Sequence, residues 1–431
     1  MGQSDLIWGN PRFETLVGHG DPRQRLDIAI VGDGYRIPQY GRFRANAQAL
    51  INEFFSHEPF ITYAQHFNFH IVNVFSLDSG TDDPTVVPPV VRRTALDTYF
   101  SAVSGSPTQH SRRLLGPDPW VESVVTRSGV PWDFILVIVN STQFGGGTHV
   151  NMRLAYMSNA TTDWTRFMVH EAGHSVAKLM DEYAEEGIPD INWPENRVFP
   201  VNPPWPNVDT NFSNSKWVLW LTPNVPLPTP DIAAYDGVVG AFRGAAFVPS
   251  AVYRPMRRCL MRDRQWPFCR VCEEQWVKVI YGHSSIADGF SPSYIAPQPP
   301  LLYSDTEGIR FHASVLHAAG ISTTWWTRKQ GQVAWRRRRQ TDDYADFTTA
   351  LPADRVAGLP VSTTWEVRCV LQDASRFIRT DDIRRLARQE HIWRLITTPS
   401  PVDLDIPDVD IPAPDVPDIP DLPTPPPPPF P

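Results

Sequence analysis

Two histidines four residues apart, His170 and His174, bracket a glutamate in the run His170-Glu171-Ala172-Gly173-His174. On a helix, residues at that spacing lie on one face, so both imidazoles can reach a single ion. Neutral imidazole suits zinc, whose catalytic sites use three protein ligands and keep a fourth position open to water. Glu171, beside the first histidine, can take a proton from a metal-bound water and pass it to a leaving amine. That division of labour is the physical content of the H-E-x-x-H motif.

The element that must carry these side chains is a buried helix. Phe167, Met168 and Val169 precede the motif, and Val176, Ala177, Leu179 and Met180 follow it. Two imidazoles and a carboxylate among such neighbours cost desolvation energy unless a partner such as a metal ion meets them. The third ligand has to come from beyond the helix. On a straight helix Asp181 would sit about 10 Å past His174 along the axis. The helix therefore has to end between Ala177 and Asp181. Asp181 is the expected third ligand, with Glu182 as its rival and as a supporting partner.

The pattern around the motif resembles the M64 family of metallopeptidases, the IgA peptidase family, within the metzincin type. The resemblance runs over roughly residues 20–285. It rests on Asp33-Gly34-Tyr35 after an apolar strand, Pro59-Phe60, the strand around His70, Trp132-Asp133 before another strand, and Phe144-Gly145-Gly146-Gly147. Downstream it includes Tyr253-Arg254-Pro255, Cys259-Leu260-Met261-Arg262 and Cys269-Arg270-Val271-Cys272. It implies zinc on His170 and His174, Glu171 as general base and Met261 as the apolar floor beneath the metal. Where other metzincins place a glycine and a third histidine, this chain has Ala177 and Met180, and Asp181-Glu182-Tyr183 takes their place. The family resemblance suggests a secreted protein, yet residues 1–10 show no basic segment followed by an apolar stretch.

Other residues carry weaker signals. A phenol can donate to the carbonyl oxygen that gains charge during peptide hydrolysis. Tyr253, near the Met-turn, is the candidate for that role and Tyr183 a second, each weighed against ordinary core packing. His149 follows the glycines and reads more readily as a structural histidine than as a cleft residue. Residues 154–157 are expected to form an edge strand lining the cleft, to which an extended substrate could add, or else a plain core strand. Cys259, Cys269 and Cys272 cluster in sequence, with Cys369 apart. Lacking a second Cys-x-x-Cys or a nearby His pair, they suggest a disulfide from Cys259 to Cys269 or Cys272.

At the level of the whole chain, 431 residues with 42% hydrophobic content can bury more than one core. No apolar run approaches 18 residues, so no membrane span is expected. The formal charge is −8, and the seven Asp of residues 401–431 account for nearly all of it. A near-neutral body argues against a nucleic-acid partner. The run Arg336-Arg337-Arg338-Arg339 reads as a solvated strand or loop rather than as an anion site.

The fold class expected is α+β. Residues 22–298 would form a metzincin-like peptidase domain with an α/β/α-like upper part, an active-site helix near 163–179 and a Met-turn near 259–262. An extension of residues 1–21 precedes it. Residues 299–398 read as a β-sandwich-like accessory domain, with strands near 309–315, 322–327, 332–337 and 363–371 and a short helix near 381–390. Residues 399–431, rich in Pro and Asp, are expected to be disordered. Residues 187–232 read as Pro- and Asn-rich loops packed by tryptophans. The function expected is a zinc-dependent endopeptidase acting on protein or peptide substrates. The alternative is a catalytically silent metzincin scaffold that binds a protein or glycan, against which the intact Glu171 speaks.

Overall fold

The computed structural model describes residues 6–399, apart from 103–111, 150–152, 185–191, 194–196, 305–307, 318, 342–345 and 357–358. The expected disordered tail lies outside the described residues. Three apolar runs become strands buried along their whole length: β2 (Leu26–Asp33), β3 (Phe67–Phe75) and β6 (Phe134–Val139). Strands covered on both faces read as continuous apolar runs, and these three pair in parallel. With β1 (Ile7–Gly18), β4 (Tyr99–Ala102), β5 (Arg112–Leu115), β7 (Gly146–His149) and β8 (Leu154–Ser158) they form one eight-stranded sheet, in the order β1-β3-β2-β6-β8-β7-β5-β4.

The strand period of two divides this sheet's side chains between two cores. Ile28, Ile30, Leu136, Ile138, Ala155 and Met157 face α1 (Tyr40–Phe54) and α3 (Trp164–Ser175). Ala29, Val31, Ile135, Val137, Val139 and Tyr156 face α2 (Asp118–Ser128). The result is an α/β/α sandwich, in which α3 lies across β7 and β8.

Two expectations change at the rims of this sheet. Part of the supposed N-terminal extension, Ile7–Gly18, is itself a strand that pairs antiparallel with β3 and closes one side. Residues 154–157 are not an edge. β8 lies between β6 and β7, because Gly146–His149 straightens into a strand and pairs antiparallel with it. A glycine run reads as a loop, but here small residues let the backbone approach closely. A Cβ on Gly147 would lie 2.6 Å from Leu114 O, and one on Gly146 would lie 2.9 Å from Met157 Sδ. The Gly-Asp-Gly-Tyr turn is structural too. Gly34 has φ +71°, and a Cβ there would lie 2.0 Å from Gly80 O. Asp33 is wholly buried and accepts from the Leu96 and Thr98 backbone N–H groups (2.9 and 3.1 Å).

After α3 the chain crosses a loop-rich region. It contains the small pair β9 (Asn192–Trp193) and β10 (Arg197–Val198), and the hairpin β11 (Phe242–Ala245) and β12 (Val248–Arg254). Trp217 anchors these loops, 1% exposed, with its indole N–H on Gly240 O at 2.7 Å. The helix α4 (Arg270–His283) returns to the core.

The remainder is β-rich. A three-stranded sheet holds β13 (Ala287–Ser291), β15 (Ile309–Val315) and β18 (Asp346–Thr349). A five-stranded sheet holds β14 (Leu301–Ser304), β16 (Ile321–Lys329), β17 (Arg336–Thr341), β21 (Thr363–Asp373) and β22 (Arg388–Thr398). A short pair, β19 (Asp354–Val356) and β20 (Leu359–Val361), precedes β21. The two larger sheets face each other through Phe311, Phe347, Trp325 and Trp393, with ring centroids 5.0–6.2 Å apart. β13 lies upstream of the expected boundary at residue 299. The expected helix near 381–390 stops earlier, as α5 (Asp381–Leu386), and Arg388 already belongs to β22. The arginine run forms strand β17 at the rim of its sheet, with Arg336, Arg337 and Arg338 exposed. Charged residues suit such a rim because they discourage further strand pairing.

These sheets are joined to the first part by polar contacts, buried at Asp373 and part-buried at Asp288. Asp373 Oδ2 accepts from Tyr63 (2.5 Å) and from Tyr281 (2.7 Å), and the Arg25 guanidinium pairs with Asp288 at 2.7 Å. One continuous hydrophobic core runs from Leu26 to Leu395.

Candidate metal centre

Helix α3 ends at Ser175, earlier than the sequence suggested, and the chain reverses at once. Val176 N–H still donates to Ala172 O (2.8 Å), Lys178 takes φ +56°, and Leu179 N–H reaches back to Gly173 O (3.0 Å). A lysine thus occupies the left-handed position that glycine usually fills, at a cost of about 1–2 kcal/mol. The reversal brings Asp181 beneath the helix.

There Asp181 Oδ1 lies 3.1 Å from His170 Nε2 and 3.3 Å from His174 Nε2, and the two Nε2 atoms are 3.1 Å apart. The opposite ring nitrogens are already used. His170 Nδ1 meets Leu260 O at 3.1 Å and His174 Nδ1 meets Leu179 O at 2.8 Å. A carbonyl oxygen only accepts, so each Nδ1 carries a hydrogen and Nε2 is the nitrogen left for a metal ion once its own proton is displaced. The two Nε2 atoms and the Asp181 Oδ1 atom therefore converge on one point. Nitrogen ligands at the corners of a zinc tetrahedron lie about 3.3 Å apart. The three donor atoms fit such an ion.

The electrostatics agree with that geometry. Burial opposes charge on His174, yet the Asp181 carboxylate, with Glu171 and Leu179 O, outweighs it and raises the imidazole to about 9. Burial would raise Asp181, but the two imidazoles hold its carboxyl well below the usual range. The cluster favours a positive charge at its centre. Both histidine side chains remain 13% exposed, so the point is reachable from outside.

Glu171 is half-buried. Its Oε2 accepts a hydrogen bond from Thr148 Oγ1 (2.5 Å), and the same hydroxyl also lies 3.2 Å from Glu171 O. Thr148 was missed in the sequence because it belongs to the glycine run that became β7. Met261 is fully buried against α3, and a Cβ on Gly173 would lie 2.7 Å from its Sδ. That close approach explains why the second-last residue of the motif is a glycine.

The other sequence candidates have contacts of their own. Tyr253, in β12, is 7% exposed, stacks near Phe212 with centroids 5.3 Å apart, and pairs its backbone with Asp209. Tyr183 packs edge-on to Phe247. His149 forms an ion pair with Asp118, as a structural residue would. Glu182 points away from the imidazoles toward Cys269 and Cys272. Burial pushes its carboxyl well above the usual range, the opposite of its neighbour Asp181. The expected disulfide is not present. All four cysteines are free, and Cys259 Sγ is 3.8 Å from Cys272 Sγ.

The IgA peptidase M64 family model matches residues 15–234 and 231–280, more than half of the chain. This chain belongs to the M64 peptidase family. As an M64 peptidase it is of the metallopeptidase type, with protein or peptide substrates, and the match covers every residue of the cluster. No curated protein matches this M64 peptidase. Among its described residues no helix is long and apolar enough to cross a membrane.

Proposed function

We propose that this peptidase is a zinc-dependent endopeptidase of metzincin-like design, with His170, His174 and Asp181 as ligands and Glu171 as general base. The observation that carries the reading is the convergence of the two Nε2 atoms and the Asp181 oxygen, with both Nδ1 hydrogens committed to carbonyls. When bound there, zinc supplies a Lewis acid that polarises a carbonyl and acidifies a water. The protein's own groups do the rest. Leu260 O and Leu179 O fix the imidazole orientations. The Thr148 hydroxyl holds Glu171 Oε2, leaving Oε1 to accept the proton of the attacking water and deliver it to the departing amine. Tyr253 is our candidate for the phenol that donates to the carbonyl oxygen as charge builds on it. Residues 299–398 are proposed as an accessory β unit joined to the peptidase core.

Glu171→Gln tests the central claim. It should keep the metal at this cluster while slowing peptide cleavage by about 10³- to 10⁴-fold. Cleavage at the parental rate by the metal-loaded variant would remove Glu171 from the chemistry. For Tyr253→Phe the expected loss in kcat is about 10²-fold with KM little changed. An unchanged kcat would leave Tyr253 as packing alone.

A further inference from the structure

One residue beyond Asp181 the chain turns a second carboxylate to the opposite side, into a cluster that the peptidase reading does not use. Glu182, Cys259, Cys269 and Cys272 are all buried, and one ligand atom from each lies within 4.8 Å of the others. We propose that these four residues bind a second zinc ion, in a closed site with a structural role.

Three of the six separations between the ligand atoms match a tetrahedron, and all lie within 4.8 Å. Two thiolates on one zinc lie about 3.8 Å apart, and a thiolate and a carboxylate oxygen about 3.5 Å. Cys259 Sγ and Cys272 Sγ are 3.8 Å apart, while Glu182 Oε1 is 3.2 Å from Cys272 Sγ and 3.6 Å from Cys269 Sγ. Closed sites of four protein ligands are the structural type, in contrast to the open three-ligand type. Sulfur-rich donor sets select zinc among the common divalent ions.

A disulfide explains the cluster less well. A bonded pair needs a sulfur separation of about 2.05 Å. Forming one would also strand the third thiol and Glu182, whose Oε2 is buried without a hydrogen-bond partner. An ion engages all four at once.

The surroundings are those of a supported metal site. Asn207, itself wholly buried, donates to Glu182 Oε1 (3.0 Å) and to Met180 O (2.7 Å), and accepts from Met180 N–H (2.8 Å). Such outer partners orient ligands. Cys269 N–H points at Cys259 Sγ (3.3 Å). Cys269 caps α4 and Cys272 lies in its first turn, where the helix dipole favours thiolates. The buried Arg254 guanidinium, paired with Asp231 at 2.6 Å, also interacts electrostatically with Glu182.

The consequence is a brace between two segments distant in sequence. Glu182 N–H donates to Met261 O (2.8 Å), and Leu260 O holds His170. An ion bridging Glu182 to Cys259 fixes the Asp181 arm and the Leu260 carbonyl together.

The test uses the full chain, expressed with zinc and kept reduced. Wild type should hold two zinc ions per chain, and His170→Ala/His174→Ala should hold one. X-ray absorption of that remaining zinc should show sulfur neighbours, and cobalt exchanged for it should give thiolate-to-metal charge-transfer bands. Cys272→Ser should weaken or lose those bands. Should Cys272→Ser fail to fold, the sulfur signature of the double-histidine variant still decides the matter. A double-histidine variant with no zinc, zinc without sulfur neighbours, or Cys259 mapped by mass spectrometry into a disulfide in the isolated protein would each overturn the site. None of these readouts depends on peptidase activity, so failure here is distinct from failure of Glu171 as general base.

Discussion

The clusters built around Asp181 and Glu182 differ in chemistry and in access. The first combines two imidazoles with a carboxylate and keeps both histidines 13% exposed. The second combines three cysteines with a carboxylate and is sealed, with Glu182, Cys259 and Cys272 at 0%. One residue along the backbone separates a partly exposed cluster from a sealed one. On the proposed reading, ligand number and access, more than the presence of a binding pocket, separate a reactive site from a supporting one.

If the two clusters share one support, a change between them should disturb the open one most. Gly173 meets Met261 where a Cβ would lie 2.7 Å from Sδ. Gly173→Ala should push the helix off Met261, costing about 1–3 kcal/mol of stability. It should also lower kcat/KM by about 10²-fold through misplaced imidazoles. Parental kinetics in that variant would show that Met261 sets no position for α3.

Asn207→Ala acts on the closed cluster. It removes the donor to Glu182 and the two bonds to the Met180 backbone. Retention of the proposed second zinc against a competing chelator should fall by at least about tenfold. Equal retention would mean that Asn207 merely fills space.

The smallest effect separates the clusters by pH. In the metal-free open cluster His174 is raised to about 9 from its ordinary 6.5. Below 6.5 the folded and unfolded chains both hold that proton, and its pairing with Asp181 stabilises the fold in full. As pH rises toward 9 the unfolded chain has lost the proton, the folded chain then loses it as well, and the stabilisation disappears. Zinc must displace the same proton, so its affinity should climb about tenfold per pH unit from 6.5 to 9. Competition titrations with a chromophoric chelator would measure this slope, and a flat profile would dissociate His174 from the ion.

Local patterns made much of this legible. The spacing of His170, Glu171 and His174 placed three groups on α3, and the distance argument required a reversal before Asp181. Continuous apolar runs marked β2 and β6 because both faces of those strands are covered. What escaped was fixed by pairing across the fold. Thr148 reaches Glu171 only because a glycine run extends into β7. Glu182 was weighed solely against the histidines, since its sulfur partners are 87 and 90 residues away in sequence. The cysteines by themselves lack a fourth ligand, which is why their pattern suggests a disulfide. The helix end also moved, because Lys178 accepts a backbone angle that propensity alone would have given to glycine.

The alternation of Asp181 and Glu182 has a consequence for what can be inserted or deleted here. Their backbone is pinned on both sides, by Ala246 N–H on Asp181 O and by Glu182 N–H on Met261 O, each at 2.8 Å. Neighbouring side chains on an extended segment face opposite ways. A one-residue slip would therefore not merely loosen the arm. It would offer Glu182 to the imidazoles and Tyr183 to the thiols, exchanging a short acid for a longer one in the first and supplying a phenol to the second. The count of residues between Ser175 and Asp181 thus works as a reading frame, in which two binding sites are translated correctly together or misread together.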